Sequence, residues 1–225
     1  MPLPKDIKFV TFDVYGTLID WEDGAYHAFV NEASRDGFSI SKDELVPLFL
    51  QAQRDIMGGS YELYAEVLRR TALAVAKELG WALEPNRAQF LPDSIPRWKP
   101  FKETPAALKK VSKARSTGLV SNIDDKLLGQ SRRYFGLDFE LVVTAQQVRS
   151  YKPDPAHFKE CERRIGQKKG WVHIASSYYH DIDPCAKLKV PTIWVNRRGE
   201  ELEPGAKKPT EEVSNLKEAL KLLGL

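Results

Sequence analysis

Residues 7–18 of the chain read Ile-Lys-Phe-Val-Thr-Phe-Asp-Val-Tyr-Gly-Thr-Leu, a short apolar run followed by a turn of polar and small residues. The run from Ile7 to Phe12 has the length and composition of a buried β-strand. Gly16 suits the tight turn, and Asp13 comes directly after the predicted strand. A carboxylate held there is a competent nucleophile toward an electrophilic carbon or phosphorus, although an Asp in this place is also a common helix N-cap.

From Trp98 onward, short apolar runs alternate with helical patterns. This alternation predicts right-handed crossovers and a parallel, doubly wound α/β sheet. Ligands bind such sheets at the carboxyl ends of the strands, so the side chains just after each strand are the candidates for a site. The predicted strands are Thr117–Val120, Leu141–Thr144, Val172–Ala175 and Thr192–Val195, and the predicted helices begin near Thr104, Asp125, Pro155, Asp183 and Glu211.

The stretch between residues 21 and 97 contains no convincing strand and carries helical patterns instead. We therefore predict an α/β core domain with a Rossmann-like, doubly wound parallel sheet over residues 1–20 and 98–225, and a smaller helical domain over residues 21–97. The helical patterns lie at Ala25–Ser34, Lys42–Ile56 and Tyr61–Leu79.

The composition disfavours several classes of protein. With 42% hydrophobic and 29% charged residues, the chain is typical of a globular protein. The net charge of +3 is small and the basic residues are dispersed, so we expect no nucleic-acid partner. No stretch has the length and apolarity of a membrane span, and the N-terminus shows no targeting pattern. Cys161 and Cys185 are expected to be reduced thiols, and the protein to be cytoplasmic.

Polar side chains with complementary chemistry follow the predicted strands. Lys152 is suited to keep Asp13 ionised and to neutralise a developing charge. Ser121 and Asn122 offer donors to an anionic group of a substrate, and Asp181 is suited to orient Lys152 or a water molecule. Each of these residue types is also common in turns and caps. Their occurrence after successive strands favours one shared site.

Three histidines need separate interpretation. His180 precedes Asp181 and is consistent either with a base or with aromatic packing beside Tyr178. His157 and His173 have the positions of ordinary helix and strand residues.

Four motifs in order resemble those of the haloacid dehalogenase superfamily. The motifs are Asp13-Val-Tyr-Gly-Thr17, Ser121-Asn122, Lys152-Pro153 and Asp181. The resemblance covers nearly the whole chain, with residues 21–97 in the place of a helical cap. It implies a hydrolase in which Asp13 carries a covalent ester intermediate, with catalytic roles for Thr17, Lys152 and Asp181 as well.

Two positions resemble the type II 2-haloacid dehalogenases rather than the phosphatases of the superfamily. Phosphatases carry an acid two residues after the nucleophile and another five residues before the final Asp, and these positions are Tyr15 and Ser176 here. A hard cation would find few oxygen ligands beside Asp13 and Asp181. The resemblance therefore implies no metal and no cofactor. It implies a short 2-halocarboxylic acid as substrate, from which Asp13 displaces halide before water hydrolyses the ester.

The cap side departs from the dehalogenase pattern. Leu50 stands where those enzymes carry the arginine that receives the halide, and Arg54 follows one helical turn later. Tyr178 replaces an asparagine, and His180 replaces a tryptophan. A homodimer through the cap is a further expectation from the resemblance. The residues expected to contact substrate are Tyr15, Ser121, Asn122, Ser176, Leu50, Arg54, Tyr178 and His180.

Three functions remain open at this point. The first is a 2-haloacid dehalogenase or a close relative acting on a small carboxylic acid, and Tyr15 and Ser176 favour it. The second is another hydrolase on the same scaffold, such as a phosphatase with altered motifs, and Leu50 is the best argument for looking beyond simple dehalogenation. The third is a binding protein without turnover, which the presence of Asp13 and Lys152 disfavours.

Overall fold

The computed structural model describes residues 2–225 and contains a six-stranded sheet with the strand order β3-β2-β1-β4-β5-β6. All neighbouring strands run parallel, so the predicted α/β fold class is confirmed. The strands are β1 (Phe9–Phe12), β2 (Ser116–Ser121), β3 (Leu141–Thr144), β4 (Trp171–Ala175), β5 (Thr192–Val195) and β6 (Glu211–Val213).

Strand β1 lies inside the sheet, between β2 and β4. Phe9 pairs with Ser116 on one side and with Trp171 on the other. The strand order changes direction beside β1, and an open parallel sheet binds its ligands at such a switch point, outside the carboxyl ends of the strands. Asp13, the residue after β1, therefore lies at the position where a site is expected.

The first four α-helices after β1 pack on one another. They are α1 (Trp21–Ala33), α2 (Lys42–Met57), α3 (Tyr64–Glu78) and α4 (Phe90–Ser94). The side chain of Asp20 caps the start of α1, and Ser41 forms a capping box at the start of α2. No helix within residues 2–225 is long and apolar enough to cross a membrane.

The remaining helices lie between strands of the sheet, except for the last one, which follows β6. They are α5 (Thr104–Ala114), α6 (Asp125–Arg132), α7 (Ala145–Val148), α8 (Ala156–Ile165), α9 (Asp183–Lys187) and α10 (Leu216–Leu222). A π-helical turn over Tyr178–Ile182 precedes α9 and carries Asp181 at its buried side.

The two chain segments that lead into and out of helices α1–α4 run side by side. The Asp20 amide donates to the Lys99 carbonyl at 3.0 Å, and the Phe101 amide donates to the Leu18 carbonyl at 3.0 Å. These paired backbones give the helices a narrow, ordered connection to the sheet.

A carboxylate from the sheet side also holds the helical layer. The Asp124 carboxylate accepts hydrogen bonds from the Tyr64 and Ala65 amides, each at 2.8 Å. These amides open α3, where backbone N–H groups have no partner inside the helix. Asp124 is buried, and it caps the start of α3 although it lies 59 residues after Ala65 in the chain.

The prediction of a helix starting near Glu211 is wrong. Residues 211–213 form β6 at the sheet edge, and α10 begins only at Leu216 after the Asn215 cap. The Asn196 amide donates to the Val213 carbonyl at 2.8 Å, which extends the pairing with β5. A three-residue edge strand has no periodicity of its own, so its pairing with β5 determines its conformation.

Candidate active site

The centre of the site is a buried ammonium between two carboxylates. Lys152 Nζ donates to Asp13 Oδ1 at 2.8 Å and to Asp181 Oδ1 at 2.6 Å. Lys152 and Asp181 are 2% and 0% exposed, and Asp13 is 6% exposed. The three predicted residues thus meet at the carboxyl ends of β1 and β4, although 139 residues separate Lys152 from Asp13.

The second oxygen of Asp13 is held by Thr17. The Thr17 hydroxyl donates to Asp13 Oδ2 at 2.8 Å and accepts from the Ser176 amide at 2.9 Å. Gly16 makes this arrangement possible because its φ of 97° is a left-handed conformation. A Cβ at residue 16 would also lie 2.8 Å from the Ser176 hydroxyl. Both oxygens of Asp13 are therefore fixed before any substrate binds.

Lys152 is held in place through its own backbone. Its amide donates to Asn122 Oδ1 at 2.7 Å, and the Asn122 side-chain amide donates back to the Lys152 carbonyl at 3.1 Å. The ammonium also donates to the Val120 carbonyl at 3.1 Å. Asn122 thus positions the lysine, and Ser121 beside it is buried at the cavity.

The charges in this cluster shift the pKa values of its members. Burial raises the pKa of Asp13, and the Lys152 ammonium only partly opposes this effect. Burial also acts to raise the pKa of Asp181, but Lys152 and His173 outweigh it and lower the pKa to about 2. Burial acts to lower the pKa of Lys152, but Asp13 and Asp181 raise it above its ordinary value. Lys152 and Asp181 are consequently charged at neutral pH.

A cavity of about 410 Å³ opens over the cluster. Helix α2 forms one wall, and the turns that follow β1, β2, β4 and β5 contribute to the other. Of the predicted site residues, only Thr17 is absent from its lining, because it lies behind Asp13. The predicted residues that line the cavity are Asp13, Tyr15, Leu50, Arg54, Ser121, Asn122, Lys152, Ser176, Tyr178, His180 and Asp181.

The sequence is similar to known proteins over most of its length. The haloacid dehalogenase-like hydrolase family matches residues 7–188. The chain belongs to this family. It is 26% identical to the (S)-2-haloacid dehalogenase of Pseudomonas putida, over 95% of each chain. It is 24% identical to haloacetate dehalogenase H-2 of a Moraxella strain, over 87% of this chain and 88% of the relative.

A solved structure supports the fold of this haloacid dehalogenase-like hydrolase. The L-2-haloacid dehalogenase of Xanthobacter autotrophicus superposes with a TM-score of 0.83 at 18% identity, covering 97% of this chain and 98% of that enzyme. A second structure of that enzyme, with chloropropionic acid covalently bound, superposes with a TM-score of 0.80 at 19% identity, over 97% and 98% of the two chains.

The donor set of this family member does not fit a bound divalent cation. The two carboxylates at the site, Asp13 and Asp181, already share the Lys152 ammonium. Tyr15 and Ser176 stand where further acidic ligands would be needed, and the Tyr15 hydroxyl is hydrogen-bonded to Ser131 at 2.8 Å. Within residues 2–225, no group of three or more His, Cys, Asp or Glu side chains is arranged to hold a metal. A hard cation would have to displace the lysine.

The turn after β4 presents Tyr178 and His180 to the cavity, but the polar atoms of these two side chains are engaged elsewhere. His180 Nδ1 lies 3.0 Å from the Ser177 hydroxyl, and burial lowers the pKa of His180 to about 4. The imidazole is therefore neutral at neutral pH. The Tyr178 hydroxyl donates to the Lys207 carbonyl at 2.8 Å, so this side chain offers a ring edge rather than a donor.

Arg54 lines the cavity one helical turn beyond Leu50, on the same face of α2. Its guanidinium lies over the Tyr179 ring, 5.4 Å from the centroid. The other arginines of the cavity wall are paired with acids, Arg197 with Glu103 and Arg198 with Glu22. Within the described part of the chain, Arg54 has no carboxylate within 4.0 Å. It is thus a cation available to an anion in the cavity.

Sequence reasoning missed the role of one histidine. His173 is fully buried in β4, and its Nε2 lies 3.0 Å from Asp181 Oδ1. It therefore belongs to the charge cluster, whereas the prediction treated it as an ordinary strand residue. A lone polar side chain in an otherwise apolar strand, just before the site, was the available signal. His157 is buried in α8, and burial lowers its pKa to about 3, so it is a neutral core residue.

Proposed function

We propose that this chain is a hydrolase in which Asp13 displaces halide from C2 of a 2-halocarboxylic acid. The Lys152 ammonium between Asp13 and Asp181 carries this proposal, because it favours a carboxylate nucleophile that acts without a metal. The relatives named (S)-2-haloacid dehalogenase, aligned over 95% of the chain, support the same reaction.

In the first step, an Asp13 oxygen attacks C2 of the substrate. The bond between C2 and the halogen breaks, the halide leaves with the electron pair, and an ester joins Asp13 to C2. Burial disfavours the free carboxylate, so neutralising its charge by ester formation is favoured there. The unpaired Arg54 guanidinium is suited to receive the halide in place of the arginine that Leu50 replaces.

In the second step, water attacks the carbonyl carbon of the ester. Lys152 donates to one Asp13 oxygen and Thr17 to the other, so whichever oxygen is not bonded to C2 has a donor that stabilises it as the oxyanion. Within residues 2–225, Asp181 Oδ2 is buried and has no hydrogen-bond partner, which suits it to accept a proton from that water. The C–O bond to Asp13 then breaks at the acyl carbon, releasing a 2-hydroxy acid and restoring the carboxylate.

Residues 21–97 are proposed to act as a cap over this site. The paired segments at Asp20 and Lys99 provide a narrow connection about which the helices could turn. The Asp124 contacts to α3 would hold the closed arrangement. The cytoplasmic location, the absence of a nucleic-acid partner and the homodimer remain predictions from the sequence.

The first experiment measures halide release from 2-chloropropionate in the presence of a chelator. Chelator-resistant release that is lost in Asp13→Asn is the expected result. A single turnover in ¹⁸O-water with excess enzyme sharpens the test, because the product hydroxyl should come from Asp13 and carry no label. Label found directly in the product would refute the ester intermediate. Turnover of phosphate esters with no halide release would refute dehalogenation.

A further inference from the structure

Some large apolar side chains of the cavity wall are exposed to solvent. Leu50 is 38% exposed and Tyr179 is 50% exposed, and both line the cavity, Leu50 from α2 and Tyr179 from the turn after β4. Deeper in the wall, the Trp21 ring stacks on Phe49 with 4.9 Å between centroids. Exposed apolar surface that is grouped around a binding cavity is typical of a site for an apolar ligand group.

The cavity is also large for a short haloacid. Its volume of about 410 Å³ falls within the range of about 300–1,000 Å³ that is usual for sites of larger ligands. A substrate such as 2-chloropropionate has roughly six non-hydrogen atoms, each comparable to a water molecule with its ~30 Å³ share of liquid volume, and would fill less than half of it. The lining includes charged residues such as Glu22 and Lys42, and it also offers the apolar side chains of Trp21, Leu50 and Met57 to a larger substrate group.

We infer that the preferred substrate is a 2-halocarboxylic acid with a large apolar or aromatic group on C3, which lies between Leu50 and Tyr179. This inference rests on the proposed function for its reacting end. The carboxyl and C2 lie at Asp13, where the site is polar, and the C3 group covers the apolar side chains of the mouth. Each CH₂ group of the substrate that is buried against these side chains should strengthen binding about fourfold.

Binding of the corresponding products tests the inference without requiring turnover. Calorimetry compares 3-phenyllactate with lactate, and the expected result is at least tenfold tighter binding of the phenyl acid. Leu50→Ala should reduce that ratio. Leu63→Ala is the matched control, because Leu63 is also an exposed leucine, 48% exposed, and does not line this cavity.

A ratio near one, or a ratio that both leucine variants change equally, would overturn the inference. Halide release is then compared for 2-bromo-3-phenylpropionate and 2-bromopropionate, with a higher kcat/KM expected for the phenyl acid. Preference for the short acid would overturn the inference and leave the proposed function intact. Failure of both acids to release halide would instead count against the proposed function, while the binding ratio still tests the cavity.

A second, independent observation concerns the hydrogen bonds behind Asp181. The Trp171 indole donates to the Thr11 hydroxyl at 2.8 Å, and that hydroxyl lies 2.8 Å from His173 Nδ1. The Asp181 carboxylate accepts, so His173 Nε2 carries a hydrogen, and Nδ1 shares a second hydrogen bond with the Thr11 hydroxyl. Trp171, Thr11 and His173 are buried, and their hydrogen bonds hold the imidazole in one orientation.

These hydrogen bonds leave the two oxygens of Asp181 in different surroundings. Oδ1 accepts from both His173 and Lys152, whereas Oδ2 has no partner within residues 2–225. We propose that His173 is a positioning residue that holds the carboxylate so that Oδ2 receives the hydrolytic water. This role rests on the proposed ester intermediate, and its structural part can be measured separately.

Single-turnover kinetics of His173→Leu test this role. The variant keeps a side chain of similar size and removes the donor, and it should slow ester hydrolysis at least tenfold more than halide release. The Asp13 ester should then accumulate and be visible by mass spectrometry. His173→Gln, which restores a donor, should recover part of the loss. Equal effects of His173→Leu on both steps, or no accumulation of ester, would overturn the proposal.

A titration of Asp181 keeps the test informative if the leucine variant folds poorly or if no halide is released. Carboxyl ¹³C NMR of Thr11→Val and His173→Gln follows the ionisation of Asp181 directly. Removing the Thr11 hydroxyl frees the imidazole to turn away from Asp181, so the pKa of Asp181 should rise in Thr11→Val and rise less in His173→Gln, which keeps a donor at residue 173. An unchanged titration in Thr11→Val would show that the buried hydrogen bonds do not position Asp181.

Discussion

Replacement of Lys152 by methionine should cost much of the stability of this protein. The ammonium contacts Asp13 at 2.8 Å and Asp181 at 2.6 Å, and all three side chains are almost fully buried. Without it, two carboxylates face each other in a medium that solvates them poorly. Removing one partner of a buried ion pair typically destabilises a protein by about 3–5 kcal/mol, and we expect a loss in that range near neutral pH.

The loss should depend on pH in a defined direction. The pKa of Asp181 is lowered to about 2, so its stabilising effect is present above the unfolded value of 3.8 and is lost as the pH falls through about 2. The pKa of Lys152 is raised, so its effect is complete below the unfolded value of 10.5 and is lost only at higher pH. In Lys152→Met the pKa values of Asp13 and Asp181 both rise, because the neighbouring positive charge is lost. The loss in the free energy of unfolding should therefore be largest near neutral pH and should shrink toward pH ~4, where the carboxyl groups become protonated.

Urea unfolding followed by tryptophan fluorescence at these two pH values provides the measurement. Lys187→Met is the control, because Lys187 contacts Asp183 at 2.5 Å with its side chain 63% exposed. Removing an ion pair of similar length at the surface should not measurably change the free energy of unfolding. The electrostatic reasoning would be refuted if Lys152→Met lowered the free energy of unfolding by less than about 1 kcal/mol, or by the same amount at both pH values.

Three further predictions concern single positions. Asp13→Asn should unfold at a higher temperature than wild type near neutral pH, because the raised pKa of Asp13 makes its ionised form costly, and calorimetry should find that the difference disappears as the pH falls to the unfolded value of 3.8. Gly16→Ala should lower the free energy of unfolding by about 1–3 kcal/mol and remove most activity, as measured by urea unfolding and a halide assay. The alanine would have to adopt a φ of 97°, and its Cβ would lie only 2.8 Å from the Ser176 hydroxyl. Asp124→Ala should lose about 1 kcal/mol and speed hydrogen exchange at the Tyr64 amide, whereas unchanged exchange would contradict a capping role.

Local patterns were sufficient for strands β1 to β5 and for the position of Asp13 directly after β1. Strand β1 and the Asp13 turn follow from apolar composition and a glycine, and both are properties of neighbouring residues. Parallel topology then brings every strand end to one edge, which is why Lys152 and Asp181 could be placed beside Asp13 without a structure. The failure at β6 has the complementary cause, since three residues at an edge take their conformation from β5.

The contacts that define the surroundings of the site required the tertiary structure. Thr11 and His173 are 162 residues apart in the chain, and no spacing rule links them. Arg54 and Tyr179 meet only because α2 lies over the turn after β4. The sequence by itself determined which chemical groups stand at the ends of the strands, because strand periodicity is local. Only the tertiary structure decided which of those groups are paired, buried or left free, because hydrogen bonding and desolvation depend on all the elements that pack around a side chain.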